Sequence, residues 1–116
     1  MRIAFDMLVV EQEQGEAQQA TCTLLNELAM LSTHQYIIIT GRPRIYRMQK
    51  QAANICLYPV KTSARRGILT EHQLLLPSIL RHLQPDILHV PNSIAPMGWN
   101  GPLIVTVYDL TTLYKQ

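Results

Sequence analysis

Short apolar runs and longer apolar stripes alternate along this chain. Ile3, Ala4 and Phe5 form a run that ends at Asp6, and Met7 to Val10 leads into a polar stretch, Glu11 to Glu16, that contains Gly15. This pattern reads as a strand followed by a loop. From Ala17 onward, Ala20, Leu24, Leu28 and Leu31 recur at three- and four-residue steps. Such spacing predicts a helix with one stripe laid on a sheet, ended by Ser32 to His34. Tyr36 to Thr40 contains three consecutive isoleucines, which suits a strand buried on both faces of a parallel sheet. Gly41 and Pro43 close it. Asn54 to Val60 is a further strand, confined to an edge or an end because Pro59 has no N–H to give a ladder.

Thr70 followed by Gln73 has capping-box spacing, and Leu75, Leu76, Ile79, Leu80 and Leu83 supply an apolar helix face up to about Leu83. Pro77 lies inside that pattern and is expected to kink the helix or delay its start. Pro85 stops it. Asp86 to Val90 reads as a buried strand, and Leu103 to Tyr108 as another after a loop rich in proline, glycine, Asn92 and Ser93. Strands alternating with helices predict an α/β fold: a three-layer, Rossmann-like, doubly wound and mainly parallel sheet. The whole of 1–116 is expected to be a single domain. Because the chain stops soon after a strand expected to be interior, that domain is expected to be truncated at its C-terminal end.

Length and composition agree with one core: 116 residues, 47% hydrophobic and 16% charged. Cys22 and Cys56 have no metal or redox spacing and fall in apolar segments, so buried free thiols are expected. Neither a signal peptide nor a membrane span is expected, which makes a cytoplasmic protein the default. Net charge is only +2, but seven of the ten basic residues fall within 42–66, where there is no acidic residue. Arg42, Arg44, Arg47, Lys50, Lys61, Arg65 and Arg66 could therefore meet lipid headgroups, a phosphorylated ligand or nucleic acid, and a solvated loop and exposed helix face account for them at least as well. Aromatic interleaving and a recognition helix are lacking, so nucleic acid is not expected.

In an open parallel sheet, ligands bind beyond the carboxyl ends of the strands. Asp6, Thr40 with Gly41, Asn92 with Ser93, and Tyr108 with Asp109 follow the predicted strands and should share that rim. Turn formation is the expected role of Thr40 and Ser93. For Asp6 and Asn92 turn and binding roles are evenly balanced, and Tyr108 with Asp109 lean toward function. The four histidines lack metal spacing, and His89 reads as a hydrogen-bonded core imidazole. No GxGxxG, P-loop or GxSxG is present, which removes the main support for dinucleotide, triphosphate and hydrolase readings.

Three ordered stretches carry a family resemblance: Glu71-His-Gln-Leu-Leu-Leu-Pro77, Pro85-Asp-Ile-Leu-His-Val-Pro91 and Ile104-Val-Thr-Val-Tyr-Asp-Leu110. Together they resemble the N-terminal domain of retaining family 4 (group 1) glycosyltransferases. The resemblance implies half of a GT-B fold, with the acceptor held by this domain and the nucleotide-sugar donor by a C-terminal domain missing here. It implies no cofactor and no obligatory metal. Tyr108 and Asp109 would be the catalytic pair, with Gly15, Glu16, Asn92 and Ser93 as substrate-binding positions. The acceptor would be a glycan or lipid-linked molecule, and the basic stretch 42–66 could bring a cytoplasmic protein to an anionic acceptor or to the inner face of the membrane.

Two departures stand out. Tyr108 replaces the histidine usual at its position, and because an unperturbed phenol titrates at about pH 10, a tyrosine there suits positioning better than proton transfer at neutrality. Gly15 stands alone where the family carries a glycine pair. Without a donor half, the isolated chain is expected to be inactive, and an open strand edge is expected to favour self-association. The alternative reading is a non-catalytic, flavodoxin-like binding or interaction domain.

Overall fold

The computed structural model describes residues 1–13, 16–31, 33–47, 49–61, 68–91 and 98–106. The elements run β1 (Arg2–Asp6), α1 (Val10–Glu13), α2 (Glu16–Leu31), β2 (Gln35–Thr40), two 3₁₀ turns (Pro43–Tyr46 and Gln49–Gln51), β3 (Ile55–Pro59), α3 (Ile68–Leu83), β4 (Ile87–Val90) and β5 (Leu103–Val105). The strands form one sheet in the order β3-β2-β1-β4-β5, and every neighbouring pair is parallel. This is the Rossmann-like, doubly wound arrangement expected from the residue pattern. The chain steps outward from β1 to β3 and then crosses back to β4 on the other side of β1. The strand order therefore reverses between β1 and β4.

Alternation along the strands builds two cores. Ala4, Ile37, Ile39, Leu88 and Val90 point to the face covered by Leu76, Leu80 and Leu83 of α3. Phe5, Tyr36, Ile38 and Ile55 point to the other face, where Leu25 of α2 meets them. Three consecutive isoleucines in β2 thus feed both layers, as a strand buried on both sides must. β3 is the edge strand that Pro59 requires: the proline is its last residue, paired in register with Thr40.

The helices differ from expectation in four details. Glu11 begins no loop but lies in the single helical turn of α1. On α2, Leu25 and Thr21 are fully buried, while Leu24 and Leu31 are exposed. The contact face runs through Thr21, Cys22, Leu25, Leu28 and Ala29, so the predicted stripe was phased wrongly. Adjacent Leu24 and Leu25 fit either phase, and sheet contact selects one. The helix α3 already starts at Ile68, which puts Thr70 inside the first turn rather than at a cap. It also continues through Pro77, which therefore does not delay its start. The missing hydrogen bond is tolerated because Leu76, Leu80 and Leu83 are buried against the sheet on either side of the proline. Beyond Leu83, Gln84 takes a left-handed conformation with φ of 47°, and its N–H donates to the Leu80 carbonyl at 2.8 Å. Pro85 then starts the approach to β4.

Both cysteines are free, but only Cys22 is sheltered; Cys56 is exposed. The expected burial of Cys56 fails because β3 is an edge strand without full cover on its α3 face. No helix among the described residues is long and apolar enough to cross a membrane.

Candidate functional site

Parallel strands put their carboxyl ends on one rim, and the residues there are organised by one buried carboxylate. Glu11 is wholly inaccessible to solvent. Its carboxylate accepts the hydroxyl of Thr40 in a short hydrogen bond, the hydroxyl of Tyr46 at 2.5 Å and the backbone N–H of Gly41 at 2.9 Å. The Thr40 hydroxyl in turn accepts the N–H of Arg42 at 2.8 Å. Burial pushes the Glu11 carboxyl above its ordinary range, opposed by these hydrogen bonds and by the nearby Arg42 charge. Burial and the Glu11 charge push the Tyr46 phenol far upward, so it remains a donor. The result is a brace that fixes the turn leaving β2 to the segment after β1. A carboxylate so enclosed by its own donors is not placed to serve as a base for a ligand.

Asp6, the last residue of β1, is also fully buried. Its Oδ1 accepts the N–H of Leu8 at 3.3 Å, a local turn bond of the type aspartate favours. Beside the reversal of strand order, a side chain of β4 reaches β1 on one side and the residue after β5 on the other. His89 Nε2 lies 2.9 Å from the Thr106 hydroxyl oxygen, and the imidazole stacks on Phe5 at 4.7 Å between ring centroids. Burial lowers the His89 pKa, so the ring is neutral at pH 7. His89 therefore has the hydrogen-bonded core role read from the sequence. Just before the same strand, Asp86 accepts the N–H of Arg2 at 2.7 Å and donates its own N–H to the Arg2 carbonyl at 2.8 Å.

Of the positions singled out from the sequence, Gly15, Asn92, Ser93, Tyr108 and Asp109 lie outside the described residues. Glu16 is the first residue of α2, and its side chain likewise lies outside them. Thr40 and Gly41 take the structural role expected of them. Glu11 and Tyr46 were not anticipated, and no local signal marks them, because their contacts span 29 to 35 residues.

Arg42, Arg44, Arg47 and Lys61 are all exposed. Arg42 follows the end of β2 and Lys61 the end of β3, and the Val60 N–H donates to the Thr40 carbonyl at 2.8 Å. The cations thus gather at the carboxyl ends of two neighbouring strands. Concavities lined by described residues lie at the opposite, amino-terminal edge: one of about 310 Å³ beside Arg2, Asn54 and Cys56, and one of about 530 Å³ between α3 and Trp99. Among the described residues no group of three or more His, Cys, Asp and Glu side chains could hold a metal ion. Comparison with protein-family models, with curated proteins and with solved structures returns no match for this chain.

Proposed function

We propose that this chain is the N-terminal, acceptor-side half of a retaining family 4 glycosyltransferase. In this reading the full-length protein works in the cytoplasm at the inner face of the membrane. It moves a sugar from a nucleotide-sugar donor, bound by a second Rossmann-like domain, to a glycan or lipid-linked acceptor. The observation that carries the reading is the ordered set of three stretches, Glu71 to Pro77, Pro85 to Pro91 and Ile104 to Leu110. Two of them supply His89 and Thr106, which meet across neighbouring parallel strands. The likeness therefore involves interacting positions rather than scattered letters.

Tyr108 and Asp109 follow β5 in the chain, where strand ends address a ligand in folds of this class. A phenol with an ordinary pKa of about 10 holds a sugar hydroxyl by hydrogen bonding and does not shuttle protons near neutrality. Asp109 accepts hydrogen bonds when ionised and would orient the acceptor.

The test is sugar transfer from nucleotide sugars, assayed with the 116-residue chain and with the product of the longest reading frame that contains it. Turnover is expected only from a longer product with a second domain. Asp109→Asn should lower it by up to about a hundredfold through lost positioning of the acceptor. Turnover by the 116-residue chain alone, or a reading frame without a second domain, overturns the reading. One observation favours the non-catalytic binding domain instead: Asp6 and Glu11, the described carboxylates of the rim, accept hydrogen bonds from the protein itself. Acceptor analogues that fail to bind either chain would decide for it.

A further inference from the structure

We propose that the lip formed by Arg42, Arg44, Arg47 and Lys61 docks this protein on an anionic lipid bilayer, with Ile45 entering the headgroup layer. Residues 43–46 form a 3₁₀ turn capped by Arg47. Side chains three apart eclipse in such a turn, so Arg44 and Arg47 project from one side. Tyr46 between them points inward and is fully buried, whereas Ile45 is exposed. An exposed aliphatic side chain flanked by cations matches the boundary between headgroups and acyl chains.

The lip is rigid before it meets a partner. Glu11 holds Thr40, Gly41 and Tyr46, which bracket Arg42 and Arg44 and end next to Arg47. Little ordering is then required on docking, so the attraction of each cation is retained. No acidic residue occurs from 42 to 66, and the buried Glu11 carboxylate of the brace interacts with Arg42. A bilayer is favoured over nucleic acid because the exposed apolar group is aliphatic and the only aromatic ring of the turn is buried, leaving no stacking platform. The inference does not rest on the glycosyltransferase reading.

Co-sedimentation of the 116-residue chain with vesicles tests it. Binding is expected to phosphatidylcholine vesicles containing about one-third phosphatidylglycerol, to be absent from pure phosphatidylcholine, and to weaken with added salt. Combining Arg44→Gln with Arg47→Gln should weaken partitioning roughly thirtyfold, since each cation near an anionic surface contributes about a factor of five. Both side chains are exposed, so an unchanged circular dichroism spectrum and melting temperature should accompany that loss. Ile45→Ser should weaken vesicle binding severalfold and leave retention on heparin unchanged. Equal binding to neutral and anionic vesicles, or no response to the double substitution, overturns the proposal. Tighter binding to a short DNA or RNA duplex than to vesicles, indifferent to Ile45→Ser, assigns the lip to nucleic acid and overturns it too.

Discussion

A few buried polar side chains carry much of the specificity at the residue scale. Replacing Glu11 by Ala leaves the Tyr46 hydroxyl and Gly41 N–H without their acceptor, and should cost about 2–4 kcal/mol in denaturant unfolding. Its proton linkage has a definite sign. The Glu11 pKa is raised above its ordinary 4.5 in the folded state, so the unfolded chain loses the proton first as pH rises. Glu11's contribution is complete below that ordinary value and is lost as pH climbs through the raised one. His89 acts in the opposite direction, since burial lowers its pKa from 6.5. Its contribution is complete above that value and is lost as pH falls through the lowered one. Unfolding of His89→Phe followed from pH 7 downward should show a shallower fall in stability than the parent; an identical slope would exclude the linkage. The thiols provide a simpler check. Cys56 is exposed, whereas Cys22 is sheltered and its thiol is pushed up by burial and by the Glu11 charge. Ellman's reagent should label one thiol quickly and the second only on unfolding, and Cys56→Ser should abolish the fast phase.

For the elements, the decisive feature is which face each one buries. Leu25→Ala on α2 empties a fully buried site and should cost about 2–5 kcal/mol, whereas Leu24→Ala should cost under about 1 kcal/mol. Chemical denaturation of the two variants separates the observed phase from the predicted one, because the predicted stripe would make Leu24 the expensive position. The approach to β5 has its own requirement. Trp99 donates its indole N–H to the Pro102 carbonyl at 3.0 Å, and its ring lies against Gly101. A Cβ at Gly101 would sit 2.6 Å from Cζ2 of Trp99, so the ring must move. Since Trp99 is the only tryptophan of the chain, Gly101→Ala should shift the emission maximum. An unchanged spectrum would mean that the ring is not held there.

At the scale of the whole molecule, the sheet has one well-covered centre and two unequal edges. β3 is blunted by Pro59, but β5, expected to be interior, is an edge strand among the described residues and exposes Leu103, Ile104 and Val105. Edge strands of this kind invite pairing with a second chain. Sedimentation velocity should show concentration-dependent self-association, reduced by Val105→Lys; a monomer across the whole concentration range would reject it. The fold itself was legible in the residues. The isoleucine run Ile37 to Ile39, the position of Pro59 and the apolar face of Leu76, Leu80 and Leu83 were enough to predict a doubly wound parallel sheet. These signals are local, because backbone geometry ties burial to a period of two in strands and 3.6 in helices. Of the candidate site, only the rim itself and the roles of Thr40, Gly41 and His89 could be anticipated. The Glu11 brace, the buried phase of α2 and the exposure of Cys56 arose only in the tertiary structure. Each depends on which distant segment lies opposite, and residues far apart in sequence leave no periodic trace of their meeting along the chain.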